Sequence, residues 1–155
     1  MKSFVPFVFK KIKKYKMKNI FIAILVLGFS AFKAQNFKPY QFYNKKGKAI
    51  KAEKVVKQLA DYDVVFFGEL HNNSIVHWLQ LKVTEGLYDQ KNKQITLGAE
   101  MFERDNQPQL NKYLAGKIEA KSLKDSVRLW NNFTTDYKPL VDFAKDKNLN
   151  FIATN

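Results

Sequence analysis

The chain of 155 residues contains no cysteine. This absence excludes disulfide bonds, thiolate metal sites, haem attached through a Cys-x-x-Cys-His motif and a lipid-modified N-terminal cysteine. The folded state must therefore be stabilised by its core alone. The sequence supplies apolar material for such a core, because 15% of its residues are aromatic.

Histidine is almost as scarce, with only His71 and His77 in the whole chain. These two residues are six positions apart, whereas two side chains on one helical face are three or four apart. The zinc-protease pattern, with histidines at i and i+4, is therefore absent. The two imidazoles can share a ligand only if His71 lies in a loop before the helix that carries His77.

Acidic residues are missing from positions 1–34, which instead carry eight lysines. The formal net charge of the chain is +13, so the remainder carries 13 − 8 = +5. Lysines scattered through predicted helices usually form a solvated face. We therefore predict no nucleic-acid binding, despite the basic character of the whole sequence.

Residues 1–34 have the layout of a secretory signal peptide, with a lysine-rich start, an apolar run and small residues near Ala34. The apolar run, residues 20–32, is shorter than the roughly 20 residues that a bilayer span needs. Met17 is a more ordinary start for this signal than Met1. We expect export to the periplasm or the cell-envelope surface, with a retained single-span anchor as the alternative.

After this segment, short apolar runs alternate with helical patterns. Residues 64–67 are four consecutive apolar residues and predict a strand buried on both faces. Residues 94–100 and 151–154 predict two further strands. The β–α–β order predicts an α/β fold, a parallel-stranded sheet with helical crossovers. Because the last strand ends the chain, we expect residues 35–155 to be an incomplete domain.

The remaining segments predict a hairpin and five helices. Residues 36–50 read as the hairpin, with its turn at 44–47. Helices are expected at 52–60, after His71, from Pro108 to Gly116, at 122–131, and from Asp136 onward. On the helix after His71, His77 lies about 200° around from Ile75, off the apolar stripe. It is expected to face solvent or a cleft.

Three polar residues lie where predicted strands end. Glu69 and His71 follow the first strand and are two positions apart, so an extended backbone would project both to the same side. Glu100 ends the second strand. Ligands of open parallel sheets bind beyond the carboxyl ends of the strands. Such a group could bind a divalent cation or act in acid–base catalysis, whereas His71 could equally only cap the following turn.

Tyr137 begins the last predicted helix and has two interpretations. A phenol can ligate ferric haem iron. A tyrosine in this position can also simply pack and form local hydrogen bonds.

Taken together, these motifs resemble the ChaN-like haem-binding proteins of the Tiki superfamily, which also includes erythromycin-esterase-like hydrolases. The resemblance covers about residues 40–155. It rests on the order and spacing of Gly-Glu-Leu-His (68–71), His77, Gln80, Leu-Gly-Ala-Glu-Met-Phe-Glu-Arg (97–104), Gln107, Leu110, Tyr-Leu-Ala-Gly (113–116), Trp130, Tyr-Lys-Pro-Leu (137–140), Phe143-Ala144 and Ile-Ala-Thr-Asn (152–155).

This resemblance implies an exported protein of haem or iron uptake that binds haem on an α/β domain. Tyrosine and histidine side chains surround the iron in such proteins, which here indicates His71, His77 and Tyr137. The family also implies a homodimer around stacked haems and peripheral association with membrane uptake machinery. Many members are lipoproteins, but the missing cysteine excludes that anchor here.

The resemblance leaves two alternatives. In the hydrolase branch, Glu69, His71 and Glu100 would serve in metal-dependent or histidine-based catalysis, with a divalent metal as cofactor. The chain also ends near the middle of the family domain, so a truncated, non-functional remnant is the other alternative.

Overall fold

The computed structural model describes residues 38–155, and the compact unit within them begins at Pro39. The predicted signal segment, residues 1–34, lies outside the described residues. The elements are β1 (Phe42–Tyr43), β2 (Ala49–Ile50), α1 (Ala52–Leu59), α2 (Ser74–Gln90), β3 (Thr96–Ala99), a 3₁₀ turn (Arg104–Asn106), α3 (Gln107–Leu114), α4 (Ala120–Ser126), a π-helical turn (Phe133–Tyr137), α5 (Lys138–Asp146) and β4 (Asn150–Ala153).

The first two strands form the predicted hairpin. They pair antiparallel, with Phe42 opposite Ile50. The Asn44 side chain closes the turn, because its Oδ1 accepts hydrogen bonds from the backbone N–H groups of Lys46 and Lys48. Gly47 has a φ of +70°, a left-handed conformation that glycine adopts without steric cost.

The second sheet is a parallel pair of β3 and β4, with Leu97 opposite Phe151 and Ala99 opposite Ala153. The chain between the two strands contains α3, α4, the π turn and α5. A helical crossover between parallel strands is the arrangement expected for an α/β protein. The predicted fold class is confirmed.

The core lies on one face of this parallel pair. Side chains of a strand alternate between the two faces, and Phe151 and Ala153 are buried while Ile152 is 49% exposed. The helices of the crossover cover the buried face. The fully buried side chains are Phe102, Leu110, Leu123, Val141 and Ala144.

The predicted strand at residues 64–67 is wrong. These residues pair with no strand in the described part of the chain. Val64 is 67% exposed and Phe66 is 95% exposed, whereas Val65 and Phe67 are partly buried. A continuous apolar run predicts burial on both faces only if neighbouring strands and helices cover it, and here neither face is fully covered.

Two helical predictions also differ from the structure. The helix expected at 122–131 is shorter and ends at Ser126. The helix expected from Asp136 is preceded by the π turn and begins at Lys138, with Pro139 in its first turn. π-helical turns have no apolar period of their own, and they occur often at functional sites.

The expected position of His77 is wrong as well. This residue is 3% exposed, whereas Ile75 and Trp78 of the predicted apolar stripe are each 41% exposed. The N-terminal part of α2 contacts the π turn through Ser74 and His77, and the face that carries His77 is the one covered. A buried polar ring is tolerated only when its nitrogens are hydrogen-bonded, and those of His77 are.

Among residues 38–155, no helix has both the length and the apolar character needed to cross a membrane.

Candidate functional site

Glu69 is the centre of a polar cluster at the N-terminal end of α2. Its Oε1 accepts hydrogen bonds from the Tyr137 hydroxyl (2.5 Å) and from Nδ1 of His71 (2.9 Å). Its Oε2 accepts a hydrogen bond from Nε2 of Gln80 (2.7 Å). The structure therefore brings Glu69, His71 and Tyr137 together, from parts of the chain 68 residues apart.

The carboxylate is held in its ionised form by these donors. Burial raises the pKa of Glu69, but the hydrogen bonds from Tyr137, Gln80 and His71 together outweigh burial, so the pKa lies below the usual value of 4.5. At neutral pH the site contains a partly buried negative charge surrounded by three donors.

His77 lies beneath this cluster, with both ring nitrogens engaged. Its Nδ1 lies 3.1 Å from Oε1 of Gln80 and 3.6 Å from Oε2 of Glu69. Its Nε2 lies 3.1 Å from the backbone carbonyl oxygen of His71. A buried imidazole without a free nitrogen cannot bind iron unless this network opens.

Tyr137 is buried in the same way. It is 4% exposed, and its ring contacts the rings of His77 (4.4 Å between centroids) and Trp130 (5.4 Å). Burial, followed by the hydrogen bond to Glu69 and its negative charge, raises the pKa of the phenol well above its usual value of 10. Tyr137 therefore keeps its proton at neutral pH and directs it at Glu69.

His71 is the exposed member of the cluster, with 56% of its side chain accessible. Nδ1 faces Glu69, and the ring lies edge-on to Trp130 with 4.6 Å between centroids. Nε2 is the ring nitrogen that Glu69 does not occupy. An exposed imidazole nitrogen opposite a carboxylate-bound one is the usual arrangement of a metal-binding histidine.

The loop that carries His71 is tied to the π turn and to the start of α2. Nδ2 of Asn132 donates to the carbonyl of His71 (2.7 Å) and to Oδ2 of Asp136 (2.8 Å). Asp136 also accepts a hydrogen bond from the Ser74 hydroxyl (3.0 Å). Asn73 caps α2, because its Oδ1 accepts from the backbone N–H groups of Ile75 and Val76.

An open cleft of about 460 Å³ lies beside His71, in the volume range of ligand sites. Leu129 and Trp130 supply its apolar surface. The remaining lining residues are His71, Asn72, Asn131 and Asn132.

A second cleft, of about 580 Å³, is larger but chemically poorer. It is lined by Gln107, Asn111, Asn148 and Asn150 together with apolar and hydroxyl side chains, and by no titratable residue. The cleft beside His71 contains an imidazole that can bind a ligand, and Glu69 holds this imidazole by a hydrogen bond. We therefore assign the candidate site to the cleft beside His71.

Glu100 is not part of the hydrogen-bond network around Glu69 in residues 38–155. It is exposed and follows β3 directly. Within the same residues, no cluster of three or more histidine, aspartate or glutamate side chains is arranged to hold a metal ion.

Three residues of the site were not predicted from the sequence as functional. Gln80 links Glu69 to His77, Asn132 holds the carbonyl of His71, and Trp130 packs against its ring. The spacing of Gln80 from His77, three positions on one helix, is the only local signal that could have joined two of them. Asn132 lies 61 residues from His71, and no sequence pattern predicts that contact.

A protein-family model described as "Haem-binding uptake, Tiki superfamily, ChaN" matches residues 55–155. The chain belongs to this family. The matched residues contain the whole Glu69 cluster and the cleft beside it. No curated protein and no solved structure matches the chain at a significant level.

The ChaN family description implies haem as the bound group, and the side chains at the site fit it. Imidazole is a common ligand of haem iron, and His71 offers one on a side chain that is 56% exposed. Trp130 and Leu129 offer apolar surface next to that nitrogen, as a largely apolar macrocycle requires.

Proposed function

We propose that this protein is an exported haem-binding protein of haem or iron uptake, and that Nε2 of His71 ligates the haem iron. The single observation that carries this proposal is the environment of His71, its exposure and its hydrogen bond to Glu69. It is the exposed histidine of the site, its other nitrogen is bound by the Glu69 carboxylate, and it borders a cleft with an exposed apolar wall.

In this proposal each residue of the chain has a separate task. His71 would hold the haem through its Nε2, and the bound haem would supply an iron atom that accepts this nitrogen as a ligand. Trp130 and Leu129 exclude water from one side of the bound group. Glu69 orients the imidazole, and Asn132 together with His77 fixes the backbone carbonyl of His71. His77 and Tyr137 support the ligand in this arrangement and do not themselves contact the iron.

A haem titration of the purified protein tests the proposal. We expect a Soret band to develop with one haem per chain and His71→Ala to weaken binding at least about tenfold. Tyr62→Ala is the control, because it removes another exposed aromatic ring, 63% accessible, that does not line the cleft. Equal affinity of the His71→Ala variant and the unaltered protein would remove His71 as the ligand.

Export belongs to the same proposal and has its own test. The lysine-rich start and apolar run of residues 1–34 favour cleavage after Ala34. We expect the mature protein to begin at Gln35 and to be recovered from the periplasm or cell-envelope surface. Recovery of the uncleaved chain in the membrane fraction would favour the retained anchor instead.

The hydrolase alternative has one supporting observation. An exposed histidine whose Nδ1 faces a carboxylate is also the arrangement of a general base. Ester hydrolysis that is abolished in the variants His71→Ala and Glu69→Ala, but unaffected by haem, would favour this function over haem binding. The separate position of Glu100, outside the Glu69 network in the described residues, gives this second function less support.

A further inference from the structure

We propose that Glu69 is a positioning residue that holds His71 in the tautomer with the proton on Nδ1, so that Nε2 carries the free lone pair. This inference deepens the proposed function and rests on it only for the identity of the atom that accepts the lone pair, the haem iron.

The direction of the hydrogen bond between Glu69 and His71 follows from the donors around the carboxylate. An ionised carboxylate accepts hydrogen bonds and donates none. Tyr137 donates its hydroxyl proton to Oε1, and the amide of Gln80 donates to Oε2. The contact of 2.9 Å with Nδ1 of His71 is therefore a third donation to Glu69.

The free lone pair of Nε2 then follows from the chemistry of imidazole. A neutral ring has one N–H donor and one acceptor nitrogen. With the proton of His71 on Nδ1, Nε2 is the acceptor. Without Glu69 nothing in the described site would select between the two tautomers, and part of the population would carry its proton on the nitrogen that must bind iron.

The orientation of Glu69 is itself fixed by the buried part of the cluster. The amide of Gln80 cannot turn around, because its oxygen would then face the carboxylate oxygen Oε2 of Glu69, which only accepts hydrogen bonds. The buried hydroxyl of Tyr137 fixes Oε1 from the other side. His77 and Tyr137 thus act on His71 through Glu69 and through the His71 carbonyl.

The scarcity of histidine makes this inference directly measurable. The whole chain has two histidines, so a ¹⁵N-labelled sample of the full chain gives two sets of ring signals, and His71→Asn assigns them. Long-range ¹H–¹⁵N correlations distinguish an Nδ1–H from an Nε2–H tautomer. Without haem and at alkaline pH, where an imidazole is neutral, we expect His71 to show the Nδ1–H pattern. A predominant Nε2–H pattern in the unaltered protein would overturn the inference.

A variant of Glu69 provides a second test of the same inference. In Glu69→Ala we expect the Nε2–H tautomer of His71 to rise to at least half of the population. Glu85→Ala is the matched control, since that glutamate lies on α2 and pairs with Lys82 (2.7 Å) on the surface; its spectrum should keep the Nδ1–H pattern. An unchanged tautomer in Glu69→Ala would show that Glu69 does not select it. If that variant fails to fold, the tautomer of His71 in the unaltered protein still tests the inference.

Haem affinity separates this inference from the proposed function. Loss of a residue that orients a metal ligand typically costs about 10–100-fold in affinity, and we expect this range for haem binding to Glu69→Gln. If His71 shows the Nδ1–H tautomer but the unaltered protein binds no haem, the proposed function fails and the positioning role of Glu69 stands. If haem binds but His71 is Nε2–H, the positioning role fails alone.

Discussion

At the scale of single residues, the three predicted haem ligands have different environments. His71 is exposed and has one ring nitrogen free of the network around Glu69, whereas His77 and Tyr137 are buried with their polar atoms hydrogen-bonded. The sequence indicated these three residues together, because an imidazole or phenol is identified by type. Accessibility of the ligating atom depends on contacts between residues distant in the chain.

Removing the hydroxyl of Tyr137 tests whether this residue supports Glu69 by a hydrogen bond or ligates the haem iron. Tyr137→Phe keeps the buried ring and deletes the hydrogen bond to Glu69. We expect haem affinity to stay within a few-fold of the unaltered protein, while the free energy of unfolding falls by about 1.5–3 kcal/mol, the range for a hydrogen bond to a charged group. Haem titration and urea unfolding measure the two effects. Loss of affinity as large as that of His71→Ala would instead make Tyr137 an iron ligand.

At the scale of elements, local signals predicted most helices but did not predict the π turn, which depends on packing. Asn73 caps α2 through its own side chain, and Pro139 stands in the first turn of α5; both are signals read from neighbouring residues. The π turn has no such signal. Its wider backbone precedes α5 and carries Tyr137 into the buried cluster.

Helices α3 and α5 are joined by a buried phenol. The hydroxyl of Tyr113 donates to Oδ1 of Asp142 (2.5 Å), whose Oδ2 accepts from Lys138. The ammonium of Lys145 lies 4.4 Å from the centre of the Tyr113 ring. Burial, then the hydrogen bond and negative charge of Asp142, raises the pKa of Tyr113 above its usual value of 10.

This raised pKa predicts a loss of stability at alkaline pH. Above about pH 10 the unfolded chain releases the Tyr113 proton while the folded chain keeps it. The contribution of the Tyr113 hydroxyl to the free energy of unfolding is therefore complete below about pH 10. It is lost as the pH rises through the folded-state pKa. Tyr137 contributes in the same direction.

Urea unfolding between pH 8 and pH 11 measures the effect. In Tyr113→Phe the decline above pH 10 should be shallower by up to about 1.4 kcal/mol per pH unit, the value for one proton. Tyr62→Phe is the control, because that side chain is 63% exposed and should leave the slope unchanged. Equal slopes in the two variants would contradict the buried position of the Tyr113 hydroxyl.

At the scale of the whole molecule, burial divides the aromatic residues into two groups. Phe102 is fully buried and contacts the rings of Phe133 and Phe151, with centroids 6.0 Å and 5.8 Å away. Phe66, in the run predicted as a buried strand, is 95% exposed. The core that stabilises residues 38–155 therefore lies between the crossover helices and the parallel pair.

These two phenylalanines give a matched pair of substitutions. Phe102→Ala should lower the free energy of unfolding by about 3–5 kcal/mol, because it removes buried surface and leaves a cavity. Phe66→Ser should change it by no more than about 0.5 kcal/mol, as for an exposed side chain. Thermal and urea unfolding of both variants measure the difference. A large loss in Phe66→Ser would show that this side chain is covered in solution.

The fold class, the hairpin turn, the start of most helices and the adjacency of Glu69 and His71 were predictable from the order of the residues. All of these depend on residues a few positions apart. Contacts between distant segments are the reason that residues 64–67 have no strand partner among residues 38–155, that His77 is buried and that Tyr137 donates to Glu69. Burial and hydrogen bonding depend on which distant segments meet, as Tyr137 and Glu69 do across 68 positions. Local periodicity carries no information about such contacts.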